Sequence, residues 1–209
     1  MRKALAMVLF LAGLRPAAAE AVGGREALVA AVQDLRAGRL TQSAQSLQAL
    51  VLADPSQAAT QFYLGQCLYH LGRLDEASQH LRASLGLDPA VPATRFYLGR
   101  LAFDRGQLSE AFEQLRQADA LDPELPMVHY YLGLVYHANA QPMPARLEFE
   151  KALQQDPSLA RAAYALAQEL VAGGDKAAAL AALQKAEASH PDAGLRLKIQ
   201  RLRHRLGGA

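Results

Sequence analysis

Residues 58–91, AATQFYLGQCLYHLGRLDEASQHLRASLGLDPAV, and residues 92–125, PATRFYLGRLAFDRGQLSEAFEQLRQADALDPEL, align without a gap. Leu64-Gly65 falls on Leu98-Gly99, Gly72 on Gly106, Ala77 on Ala111, Leu81 on Leu115 and Pro89 on Pro123. The register continues in both directions. Pro55, Pro89, Pro123, Pro157 and Pro191 stand at one constant interval, the length of the quoted stretches, and so do Gly38, Gly72, Gly106, Ala140 and Gly174. Small residues recur at Ser43, Ala77, Ala111, Ala145 and Ala179, and large apolar ones at Leu47, Leu81, Leu115, Phe149 and Leu183. A fixed period of this size marks a solenoid, in which one supersecondary unit stacks on copies of itself. Such a fold offers an extended curved surface rather than a central cleft, which points to binding rather than chemistry.

Each unit reads as two helices. In the second unit the first helix runs from about Ala59 to Leu71 and is broken at Gly72-Arg73, since glycine tolerates the turn conformation. The second runs from about Leu74 to Gly86 and stops at Asp88-Pro89, because the residue before proline is pushed out of the helical region. Gly65 and Ala77 are expected to face the partner helix, where larger side chains would hold the two apart.

The pattern resembles the tetratricopeptide repeat family, whose signature is W-x2-L-G-x2-Y, then A-x3-F, then P. The resemblance covers Gly24 to Pro191. The Leu-Gly, Ala and Pro places match. The Trp place holds Gln61, Arg95, His129 and Ala163, and the Tyr place is filled only by Tyr136. The resemblance implies an all-α, right-handed superhelical α-solenoid of five helix-turn-helix units, at about 24–57, 58–91, 92–125, 126–159 and 160–191. A basic capping helix and tail over 192–209 complete it.

The family's first helices line its concave face. Ten of the twelve Phe and Tyr residues beyond residue 19 lie in the first helices of units two to five. The implied groove comprises Phe62, Tyr63, Gln66 and Tyr69, then Phe96, Tyr97, Arg100 and Phe103, then Tyr130, Tyr131, Leu134 and His137, and finally Tyr164. Two readings of this ladder stay open. It is internal packing between units, or it is a surface that grips an extended segment or a partner helix, since aromatic side chains with polar tips dominate binding hot spots. On the second reading Tyr63, Tyr97 and Tyr131 are at least partly accessible. The family's clamp for a C-terminal carboxylate is not carried over, because its basic and amide places hold aromatics, Gln66, Arg100 and Leu134.

The first residues are a different object. Arg2-Lys3, an apolar run from Ala4 to Leu14 too short to span a bilayer, and Ala17-Ala18-Ala19 read as a signal peptide over 1–19. An uncleaved anchor is the alternative. No cysteine stands near the site to take a lipid. The expected location is outside the cytoplasm, in a bacterial periplasm, with no transmembrane segment in the mature chain. Cleavage would remove Arg2, Lys3 and Arg15 and turn the formal charge from +2 to −1, which leaves no nucleic-acid footprint.

Charge is uneven. Arg196, Lys198, Arg201, Arg203 and Arg205 follow the last acid, Asp192. Leu195, Ile199, Leu202 and Leu206 form one helical stripe, as expected of a cap covering the last repeat; a weak contact of the basic face with an anionic membrane surface, or a contact with an acidic partner, is the sharper reading.

Catalytic chemistry finds no motif. Cys67 is the single cysteine and reads as a buried, inert thiol; His129 and His137 are two turns apart, too far for one metal; Glu148 and Glu150 read as solvated surface. The turn Ala140-Gln141-Pro142-Met143-Pro144 departs from the other units. The expectation is therefore a non-enzymatic adaptor or scaffold of the cell envelope with a protein or peptide partner and no cofactor or metal. A self-assembling scaffold and an auxiliary subunit of an exported enzyme are the alternatives, and monomer and homo-oligomer both stay open.

Overall fold

A computed structural model describes residues 17–207. The expected signal segment lies outside them but for Ala17-Ala18-Ala19, which open the first described helix. The described chain is an all-α helical-repeat solenoid of eleven helices, dividing after Pro89 into two compact units. The first holds α1 (Ala17–Arg36), α2 (Leu40–Ala53), α3 (Ala58–His70) and α4 (Leu74–Leu87). The second holds α5 (Pro92–Asp104), α6 (Leu108–Leu121), α7 (Pro126–Ala138), α8 (Pro142–Gln155), α9 (Ala160–Ala172), α10 (Lys176–Ala188) and α11 (Ala193–Arg205). Within each unit, consecutive helices pack as a series of hairpins.

The turn inside each hairpin is three residues long, and its middle residue has positive φ: Gly38 (75°), Gly72 (76°), Gly106 (72°), Ala140 (55°) and Gly174 (81°). Two backbone bonds close it. In the second hairpin the Gly72 amide donates to the Tyr69 carbonyl at 3.0 Å and the Arg73 amide to the Leu68 carbonyl at 2.9 Å. This is a Schellman cap, which satisfies the orphan carbonyls of the helix end but demands a left-handed residue. Ala140 therefore carries a strain that glycine at the four equivalent places does not. Pro142 begins α8 directly afterwards, at a helix start where its missing amide costs nothing.

The paired helices approach so closely that a Cβ has no room. One added at Gly65 would lie 2.7 Å from Leu81 Cγ, and one at Gly99 2.7 Å from Leu115 Cγ; at Gly133 the obstruction is the Phe149 ring. Leu81, Leu115 and Phe149 are buried. In the last hairpin Ala167 and Leu183 take these places in a core completed by Ile199 and Leu202 of α11, with Leu195 and Leu206 packed at its edge. The expected capping stripe is thus in place.

The vacant Trp place is put to a second use. Gln61 is buried; its Nε2 donates to the Pro55 carbonyl at 3.0 Å, and its Oε1 accepts from His80 Nδ1 at 2.8 Å. Two repeats on, His129 Nε2 donates to the Pro123 carbonyl at 3.0 Å, and Nδ1 meets Glu148 Oε2 at 2.8 Å. Both bonds are made only when both ring nitrogens carry hydrogens, because a carbonyl and a carboxylate each accept. Glu148 is consequently not the solvated residue expected from sequence. It is buried beneath the hairpin and also accepts from Lys151 Nζ at 2.8 Å. Cys67 is buried as expected: its thiol donates to the Leu40 carbonyl at 3.0 Å, and burial pushes its pKa up.

Two outcomes follow from this geometry. Ala140→Gly should stabilise the second unit by about 1 kcal/mol through relief of the left-handed backbone, read as a higher denaturant midpoint; an unchanged or lower midpoint contradicts the strain. His129→Gln alone should cost about 1–3 kcal/mol, because the new amide oxygen would face the Glu148 carboxylate. Adding Glu148→His rebuilds the Gln61–His80 arrangement and should recover most of that loss in a double-mutant cycle.

Candidate functional site

In the first compact unit, α3 carries Phe62, Tyr63, Gln66 and Tyr69, all half-buried. Phe62 and Tyr63 meet edge to face at 5.1 Å, and Tyr69 meets the His70 ring at 5.5 Å.

In the second compact unit, Phe96, Tyr97, Arg100 and Phe103 on α5 are half-buried, as are Tyr130 and Leu134 on α7 and Tyr164 on α9, while His137 is exposed. Tyr131 is only 6% exposed. The expectation that Tyr63, Tyr97 and Tyr131 share an accessible face therefore fails at Tyr131. Its ring is covered edge-on by Phe96 at 5.7 Å, Phe103 at 5.9 Å and Tyr130 at 5.3 Å, with the Arg100 guanidinium over it at 5.5 Å. Burial pushes the Tyr131 hydroxyl up to about 12 and raises Tyr130 as well. His137 reaches across to the buried Glu169 of α9.

One hairpin further on, the tyrosine series breaks. Ala165 stands one repeat period after Tyr131. It is 7% exposed and sends no ring between the flanking side chains. A cavity of about 420 Å³ opens beside it. Tyr130 and Leu134 wall it from α7; Arg161, Tyr164 and Gln168 wall it from α9. The far wall comes from α11, which is in repeat register with the first helices: Leu195 stands one period after Arg161, Lys198 one after Tyr164 and Ile199 one after Ala165. Asp192 caps α11, its Oδ1 accepting from the Leu195 amide at 2.9 Å; that bond, more than Arg161, holds its carboxyl below the usual range. Arg161 Nη2 lies 3.6 Å from Asp192 Oδ2, with both side chains more than half exposed.

The cavity brings together Tyr130, Leu134 and Tyr164, Phe96 and Phe103 pack on Tyr131, and Arg161, Gln168, Asp192 and Lys198 were not among the groove residues named from sequence. The sequence signal that could have found them is the interruption of the Tyr63, Tyr97, Tyr131 series at Ala165. Among the described residues no cluster of His, Cys, Asp or Glu could hold a metal ion, and no helix is long and apolar enough to cross a membrane.

Models described as "Tetratricopeptide repeat" and "TPR repeat" match residues 28–92 and 99–139, together about half of the chain. The chain belongs to the tetratricopeptide repeat family. No curated protein matches it. Solved structures similar to this TPR chain include PilF of Pseudomonas aeruginosa, 22% identical with a TM-score of 0.73 over 87% of this chain and 86% of that one. A thermophilic TPR protein of Thermus thermophilus is 20% identical, with a TM-score of 0.70 over 85% and 97%. YrrB, a TPR protein with an unusual peptide-binding site, is 19% identical, with a TM-score of 0.63 over 84% and 90%. At these identities the likeness establishes the fold.

The buried hydroxyl gives an alkaline outcome. A tyrosine whose folded pKa is raised contributes stability that is complete below its ordinary value of 10.0 and is lost as pH climbs toward about 12. Tyrosinate absorbance should show a late-titrating group that Tyr131→Phe removes. A late component that persists unchanged in that variant contradicts the burial.

Proposed function

We propose that this chain is an exported, non-enzymatic adaptor of the bacterial cell envelope that holds a segment of a partner protein against the first-helix face of its second compact unit. The TPR fold is a protein–protein interaction scaffold, and the family is typically non-catalytic. The carrying observation is the cavity beside Ala165, where a repeating aromatic is replaced by a methyl group and three half-buried apolar side chains, Tyr130, Leu134 and Tyr164, line the space. A gap one repeat after the packed Tyr131 ring suits a side chain donated by a partner, because apolar area is removed from water on both molecules. The basic start, short apolar run and Ala17-Ala18-Ala19 site support export. PilF and YrrB show this fold in other chains; the partner of this one is read from its own cavity.

Ala165→Tyr tests the reading by filling the gap with the residue that the repeat register calls for. Capture of partners from an envelope extract should fall to background, while helical content and melting temperature are kept or raised. Undiminished capture by the folded variant would move the binding surface elsewhere.

A further inference from the structure

We infer that the cavity beside Ala165 takes an apolar or aromatic side chain flanked by acidic residues, so that the partner is an acidic extended segment. This rests on the groove reading above and specifies its ligand. The charge around the cavity is the reason. Arg161 and Lys198 stand on opposite walls, from α9 and α11, with Asp192 as the acid on the lining. Asp192 is already engaged: one oxygen caps α11 at 2.9 Å from the Leu195 amide, and the other is 3.6 Å from Arg161, beyond a close hydrogen bond. Such an exposed pair is weak, which leaves Arg161 able to turn toward an incoming carboxylate. Lys198 has no acidic side chain within ion-pair distance among the described residues. Arg100 is stacked over Tyr131, and its charge and that of Arg161 both act on the Tyr130 hydroxyl, while the Asp104 charge acts on Tyr131.

The two walls assign complementary roles. Tyr130, Tyr164 and Leu195 take the apolar side chain into the space that a further ladder aromatic would fill. Arg161 and Lys198, at its rim, pair with acids on either side of that residue. Guanidinium–carboxylate bonds are charge-assisted and directional, so they set register along the segment while the apolar residue supplies buried area. The recognised acids are side chains within a segment rather than a chain terminus.

The test uses fluorescein-labelled, C-terminally amidated nonapeptides and the full chain in an anisotropy titration. The first peptide carries a central phenylalanine between pairs of acidic residues. Its counterparts carry the matching amides, lysines in place of the acids, or alanine in place of phenylalanine; a further peptide is neutral with a free C-terminal carboxylate. The acidic phenylalanine peptide should bind tightest, by about tenfold or more over each counterpart, and weaken as salt rises. Arg161→Glu combined with Lys198→Glu should reverse the preference in favour of the lysine peptide; Lys198→Glu alone, which leaves the Arg161–Asp192 pair intact, should reduce it in the same direction. Equal binding of the acidic and amide peptides, preference for the free terminus, or indifference to both charge variants overturns the inference. So does an absence of binding by every peptide. If the amide peptide binds as well as the acidic one and Ala165→Tyr removes both, the groove stands without the acidic preference. If Ala165→Tyr leaves the acidic peptide bound while charge reversal releases it, the groove reading itself fails.

Discussion

The rest of this structure depends on the contact between a first helix with no side chain and a second helix with a large one. Gly99 lies under Leu115 at a separation that no Cβ could share, and Gly65 with Leu81 and Gly133 with Phe149 repeat the arrangement. Interiors are packed to near-crystalline density, so a fixed separation at this one place fixes the positions of neighbouring side chains. The three-residue turn with its left-handed middle residue then follows, because a short, capped reversal brings two helices side by side close to the contact. Each new first helix begins one repeat period after the last, at Ala58, Pro92, Pro126 and Ala160. The faces of these helices recur in phase for that reason.

Elements made by local rules were legible in the sequence. Glycines at the turns, prolines after Asp at the hairpin ends and the small-against-large pairs each act within a few residues or one hairpin, so the repeat pattern states them directly. Two features were not legible because they depend on what another helix presents. Tyr131 reads like Tyr63 and Tyr97, yet Phe96 and Phe103 close over it. Glu148 reads like its neighbour Glu150, yet it faces His129 because that histidine occupies the place of the family's tryptophan. In the candidate site, the aromatic wall was legible and the pairing of the cations was not: Lys198 read as one of the basic residues of the last helix, Arg161 belongs to no repeating series, and only the fold brings α11 to α9 around one cavity.

Polar substitution at the Trp place also shows how this chain holds its loops. A tryptophan would contribute area; Gln61 and His129 contribute directed bonds instead, each tying the carbonyl of a loop proline to the second helix of the same hairpin. Buried polar groups are costly when unpaired and specific when paired. The loops that launch α3 and α7 are therefore fixed by geometry as well as by packing, and the side chains on those helices, Tyr63 and Tyr130 among them, inherit that order.

A repeating fold makes a distinctive site where its own rule is broken. Between α5 and α7 the Tyr131 ring fills the space beside Phe96 and Phe103. At α9 the ring is absent, and the register continues into α11. Arg201 occupies the place of Gly65, Gly99 and Gly133, and it is exposed. Lys198 likewise occupies the place of Phe62, Phe96, Tyr130 and Tyr164. On α11 charge thus stands where the earlier first helices present apolar area, while Ile199 and Leu202 keep the core covered. The break in the aromatic series at Ala165 and the arrival of charge on α11 fall on successive helices of the same register, which is why one cavity is both aromatic-lined and charged.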